Sequence, residues 1–283
     1  MPYPIPKLAY GLRCRLHDLA TPVERYNIQI AAGNPLICPP AQTIQNITDL
    51  VYFIYKDNAA EVLPNFNIEK NSPVYAIKNV CLTGFNSHNI TTALFDHFIC
   101  QEIVNAEECH LSKTFFEMLS RLVIASSIKQ IMLFKTSNDG YVLQMSDLLT
   151  VFPNLTEVRL ERVPVADTWM TEISQYGQHG YTRIQLGLTL EQITALSTVD
   201  LIAFLQAQKK GFQLTLDLPA VRKFSPIEPK SLLPGLDQFP NYELEQDYDI
   251  AVIINNKKIQ SHKQDTVLEL RVSDAFNSHV WFF

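Results

Sequence analysis

A chain of 283 residues is long enough for one large domain, or for a small domain joined to a larger one, with a sizeable core. Its net charge of −6 contains no long run of either sign, which argues against nucleic acid as a partner; the pairs Lys209-Lys210 and Lys257-Lys258 read as solvated turns. No stretch approaches the roughly 18 consecutive apolar residues of a membrane span, so no membrane partner is expected.

The first residues, Met1 to Lys7, carry no long apolar run, so no secretory signal is expected. Leu8, Leu12, Leu16 and Leu19 then recur at helical spacing, with Arg13, Arg15 and Asp18 mostly turned away from that stripe. A second helix starts with three agreeing signals: Thr21 as cap, Pro22 at the first helical position, and Glu24 reaching back to the cap amide. It carries Val23, Tyr26, Ile30 and Ala31, and Gly33 is placed to end it. Asn34-Pro35 and Cys38-Pro39-Pro40 follow as a stiff link, where a domain boundary is expected. This helical pair, residues 1–36, has two readings: a cap shielding one end of a repeat stack, or a small docking module whose apolar stripe meets another protein.

From about residue 44 the periodicity changes. Asp49 to Tyr55 reads as a buried strand. A recurring three-anchor pattern, Leu-x-x-Leu-x-Leu in form, then appears at Ile77/Val80/Leu82, Ile128/Ile131/Leu133, Leu155/Val158/Leu160 and Tyr181/Ile184/Leu186. Two imperfect copies start at Gln101 and Gly211. The starts are 77, 101, 128, 155, 181 and 211, giving steps of 24, 27, 27, 26 and 30. In a chain that is 47% hydrophobic any one match arises by chance at about one start in ten, so the weight lies in the series. Helical patterns fall between the anchors: Leu111 to Ile124 with Ser112 as cap, Met145 to Val151, Trp169 to Tyr176, Leu190 to Leu196 with Thr189 as cap and Gln192 three residues on, and Val199 to Gln208. A doubly wound sheet also alternates strand and helix, but with longer helices and, in dinucleotide binders, a glycine-rich phosphate turn. This chain has nine glycines and no such turn. The expected fold is therefore α/β, an irregular leucine-rich-repeat-like stack over residues 44–220 behind the short helical module.

Residues 221–283 leave the period and form a strand-rich closing segment. Pro226, Pro229, Pro234 and Pro240 mark loops, Asp249 to Asn255 and Thr266 to Val272 read as strands, and Val280 to Phe283 is expected to fold back as an edge strand or closing cap.

The five cysteines (14, 38, 81, 100 and 109) are odd in number and lack disulfide-scaffold spacing, so a cytoplasmic or nuclear setting is expected, with the sequons at Asn46, Asn89 and Asn154 incidental. Cys109 stands eight residues after the anchor position at 101, where leucine-rich repeats often carry Asn or Cys inside the turn; an ordinary buried thiol is the alternative. His97-x-x-Cys100 and Cys109-His110 do not make the two short-spaced pairs of a structural zinc site, and Cys14 beside Arg13 and Arg15 reads as structural. There is no Gly-x-Ser-x-Gly, no phosphate-binding glycine loop and no His-Glu-x-x-His. No enzyme activity, metal or cofactor is expected.

Two segments resemble a known group. Pro6 to Leu19 followed by Thr21 to Tyr26 is similar to the first two helices of an F-box. Cys109-x-Leu-Ser-x-x-Phe-Phe and Phe152-Pro-Asn-Leu155 resemble the recognition region of the nematode-expanded F-box and F-box-like proteins. Ile5-Pro6 stands where that family has Leu-Pro, and Ile30-Ala31-Ala32-Gly33 where its box ends Val-Cys-x-x-Trp. The resemblance implies the substrate-recognition subunit of an SCF-type ubiquitin ligase, its partners being the ligase adaptor with its cullin complex and a protein substrate. Leu8, Leu12, Leu16, Val23 and Tyr26 would be the adaptor contacts. The substrate would meet strand residues between and beside the anchors: Lys129, Gln130, Met132, Thr156, Glu157, Arg159, Arg183 and Gln185. The other reading is a repeat-type binding protein with no ligase role.

Overall fold

A computed structural model describes residues 7–34, 37, 40–66, 68–69, 72–136, 140–176, 180–218, 241–244, 267–272 and 278–282. Two helices open the chain, α1 (Tyr10–Leu19) and α2 (Pro22–Ala32). The start of α2 is fixed as its sequence requires. Thr21 accepts from the Glu24 amide, the Glu24 carboxylate accepts from the Thr21 amide, and Gly33 ends the helix in the left-handed conformation.

The strands are β1 (Ile44–Lys56), β2 (Ala59–Leu63), β3 (Val74–Thr83), β4 (Phe98–Glu107), β5 (Gln130–Phe134), β6 (Glu157–Glu161), β7 (Arg183–Gly187), β8 (Gln213–Leu218), β9 (Asn241–Leu244), β10 (Val267–Val272) and β11 (Ser278–Phe282). They form one sheet in the order β2-β1-β3-β4-β5-β6-β7-β8-β10-β11-β9. The run from β1 through β3 to β8 and on to β10 is parallel, and each strand from β3 to β8 lies beside the next in sequence. Parallel neighbours need a crossover between them. A 3-10 turn (Thr92–Phe95) serves between β3 and β4. Beyond it stand α3 (Lys113–Leu122), α4 (Met145–Leu149), α5 (Trp169–Gln175), α6 (Leu190–Ala195) and α7 (Thr198–Gln206). Ser112 caps α3, and Thr189 with Gln192 closes a capping box on α6.

The core lies between one face of the sheet and α3–α7. Two rows of strand residues cross it in register: Val80, Val104, Ile131, Val158, Ile184, Leu214 and Leu268, then Leu82, Ala106, Leu133, Leu160, Leu186 and Leu216. All are buried, and Phe115, Phe116, Leu148, Trp169, Ile173, Ile193 and Leu201 pack on them from the helices. The first anchors Ile77, Ile128, Leu155 and Tyr181 are buried too. The two imperfect positions are corrected by one residue: Cys100 and Phe212 enter the core, while Gln101 and Gly211 stay half-exposed. In β4 the cause is an irregularity in the pairing. Ile77 faces Cys100 but Asn79 faces Ile103, so one extra residue displaces the anchor.

The turn after the strand repeats as well. Gly84, Glu108, Lys135 and Arg162, each the residue just past β3 to β6, all have positive φ. The amides of Gly84, Glu108 and Lys135 donate to the last carbonyl of the next strand, at Glu107, Phe134 and Glu161. Three non-glycine residues in this sparsely populated region, two of them held by the same hydrogen bond as Gly84, mark one recurring local solution.

Elsewhere the structure adds to the sequence reading or departs from it. Asp57 and Asn58, both at positive φ, form a two-residue turn that folds β2 back on β1. The tail strand β11 is not at an edge, since it pairs with β10 on one side and β9 on the other. β10 continues the main sheet by pairing with β8. Asp249 to Asn255 and the prolines at 226, 229, 234 and 240 lie outside the described residues.

Candidate interaction surfaces

Two surfaces stand apart from the main core. The first is the sheet face opposite α3–α7. Because strand side chains alternate, the residues between the core rows share this face. Its middle row runs Tyr52, Cys81, Asn105, Met132, Arg159, Gln185 and Thr215, each the direct partner of the next. The row on one side runs Asn79, Ile103, Gln130, Glu157, Arg183 and Gln213; the row on the other runs Thr83, Glu107, Phe134, Glu161, Gly187 and Asp217. The buried residues of α3–α7 form one cluster with the core rows, and no residue of this middle row belongs to it.

Six of the eight proposed substrate contacts, Gln130, Met132, Glu157, Arg159, Arg183 and Gln185, therefore come together on adjacent strands of one face. Lys129 and Thr156 sit just before β5 and β6, where Thr156 donates to the Lys129 carbonyl from both its amide (2.8 Å) and its hydroxyl (3.2 Å). Gln185 is buried and donates to Asp217 at 2.6 Å, so it braces the face more than it presents itself. Asn105, also buried, donates to Asn79 at 3.0 Å. Arg183 is held by Gln213 through two nitrogens. Arg159 donates to Glu161 at 3.4 Å and stacks over the Phe134 ring at 5.5 Å. The face also grades in polarity. Leu63 and its partner Tyr52 are partly exposed at the β2 end, while charged and amide residues dominate from β6 to β8.

No known family, curated protein or solved structure matches this chain.

The second surface is the helical pair. α1 buries none of its residues. α2 buries Pro22, Arg25 and Gln29 and leaves Ile30 64% exposed, so the side of the helix it buries is largely the polar one. Those polar groups have partners: Arg25 Nη1 donates to His17 Nε2 at 2.8 Å, and Gln29 bonds the Pro40 carbonyl and the Gln42 amide. The Val23 amide donates to the Asp96 carbonyl, fixing α2 at the entrance of β4. Of the five sequence-derived contact residues, Leu12 is exposed (54%), while Leu8, Leu16, Val23 and Tyr26 are half-buried. Tyr10 (65%), Leu19 (76%) and Ile30 are more exposed than any of these five. Leu19 belongs to the same leucine stripe, so its helical spacing was the available signal.

Among the described residues no cluster of His, Cys, Asp or Glu is placed to hold a metal ion. Cys100 and Cys109 are buried in the core, and burial pushes both thiols up to about 12. Cys109 lies in the turn after β4, its thiol donating to the Leu82 carbonyl at 3.4 Å. Among the described residues no helix is long and apolar enough to cross a membrane.

Proposed function

We propose that this protein is the substrate-recognition subunit of an SCF-type ubiquitin ligase, non-catalytic itself. On this reading α1 and α2 dock the ligase adaptor, and an irregular leucine-rich-repeat-like stack holds a protein substrate on its open face. One observation carries the docking part: α2 turns Arg25 and Gln29 inward while Tyr10, Leu12, Leu19 and Ile30 face solvent. A helix pair that only capped the sheet would bury its apolar stripe. The spacing of the anchors, the parallel pairing of successive strands and the recurring positive-φ turn support the repeat reading. The resemblance of residues 6–26 to an F-box supplies the identity of the adaptor.

The experiment is co-purification of the full chain with the adaptor, alongside a standard F-box protein. Capture by both is expected; capture by the standard protein alone would sink the ligase reading. A repeat-type binding protein with no ligase role is the second reading, favoured by the hydrogen bonds that tie α2 to Asp96, Pro40 and Gln42.

A further inference from the structure

Where β4, β5 and β6 end, Glu107, Phe134 and Glu161 are direct partners, so one ring stands between two carboxylates on a single rung. Each carboxylate residue is one strand spacing away, about 4.8 Å. On the Glu161 side the arrangement is filled from within the chain. The Arg159 guanidinium lies over the ring, 5.5 Å from its centroid, and donates to Glu161 at 3.4 Å. On the Glu107 side the equivalent position, two residues earlier on the strand, is Asn105. Its side chain is committed to Asn79 and offers no cation. Glu107 is exposed, with no hydrogen-bond or ion-pair partner for its carboxylate among the described residues. An open notch of about 330 Å³ lies here, lined by Glu107, Phe134, Lys135, Glu161 and Arg162.

We propose that this notch takes an arginine side chain of the protein partner, its guanidinium against Phe134 and Glu107 as that of Arg159 is against Phe134 and Glu161. The inference rests on the reading that the open face is the recognition surface. Guanidinium fits better than ammonium, because it stacks flat on a ring and still presents two N–H groups to a carboxylate. Of the two cations on the rim, Lys135 is paired with Glu108. Arg162 has no ion-pair partner among the described residues and opposes the incoming charge.

The test is a titration of the ¹⁵N-labelled full chain with the capped peptide acetyl-Gly-Arg-Gly-amide, followed by amide NMR. The same peptide with citrulline, which keeps the shape and loses the charge, is the control. Saturable shifts are expected at Glu107, Phe134 and Lys135 with the arginine peptide only. Glu107→Gln should weaken binding about five-fold, and Arg162→Ala should tighten it about two-fold, as contacts between exposed charges do. Both side chains lie on the rim, so unchanged shifts elsewhere in the spectrum establish that each variant is folded. The proposal is overturned by the absence of saturable shifts, by equal binding of the citrulline peptide, or by Glu107→Gln binding as tightly as the parent. Such a failure with adaptor capture intact removes the arginine notch alone, and lost capture with arginine binding intact removes the ligase reading alone.

Discussion

The double variant Leu12→Asp, Leu19→Lys tests whether α1 docks a partner or caps the sheet. Leu12 lies in the first turn of α1, where an acidic residue suits the helix dipole, and Leu19 is its last residue, where a basic one does. The two leucines are 54% and 76% exposed, so little apolar contact is lost in the free protein, and the stability change should stay within about 0.5 kcal/mol per site. Docking would cover the area still open. At about 1.5–3 kcal/mol for a fully buried leucine, that exposed share amounts to about 1–2 kcal/mol each, or about 2–4 kcal/mol together. Adaptor affinity should then fall by about 30- to 1000-fold, more if the new charges are desolvated. Calorimetric titration against the purified adaptor reads the affinity, and urea unfolding of the free protein reads the stability. Unchanged affinity would refute the docking role of this stripe. A stability loss above about 2 kcal/mol would show that the leucines serve the fold instead.

Three further outcomes are expected. Gly84→Ala should destabilise by at least about 2 kcal/mol in urea unfolding, because φ is +76° there and a Cβ would stand 2.5 Å from the Tyr55 carbonyl oxygen. Leu160→Ala, at a fully buried core position, should cost about 2–5 kcal/mol, whereas Glu157→Ala on the open face should stay within about 0.5 kcal/mol while weakening substrate capture. The stability of the protein should fall as pH rises from 8 to 10. Cys100 and Cys109 have folded-state values raised to about 12, so their contribution is fully present below the unfolded value near 9 and is lost above it, by roughly 1 kcal/mol per thiol at pH 10. The comparison is urea unfolding at both pH values, and Cys100→Ala with Cys109→Ala should flatten the difference.

The sequence is informative where one residue type has one physical use. Thr21, Pro22, Glu24 and Gly33 allow few alternatives to a helix between them, and α2 has those limits. Val158 and Leu160, two apart among polar neighbours, point to one face of a strand, and both are buried. Where neighbours decide, the sequence says less. The extra residue in β4 is visible only against β3, so the core position falls on Cys100 where spacing pointed to Gln101. The Asp57-Asn58 turn lacks the glycine that usually marks such a hairpin, so the sequence carries no clear signal for β2. Periodicity identifies the apolar stripe of α2 but cannot tell which side the helix buries. The rung of Glu107, Phe134 and Glu161 was missed because its members come after the last anchor of each unit. They become neighbours only when successive strands pair in register.

The notch and the helical pair lie at opposite ends of one strand. α2 is tied to Asp96, just before β4, and Glu107 closes β4 eleven residues later. At about 3.3 Å per residue that separation is at most about 36 Å, beyond direct contact between small groups and beyond the Debye length at physiological salt. A charge changed in the notch therefore has no short electrostatic route to the helical pair, and a partner seated on α1 leaves the far strand ends free. Between them stand the closely packed core rows, which sit at direct pairing positions from strand to strand. Such a scaffold transmits position but gives no sign of two discrete arrangements. On the proposed reading, this geometry would make the protein a spacer between adaptor and substrate. Affinity at each end would then be set locally, and the distance between the two bound molecules by the length of β4.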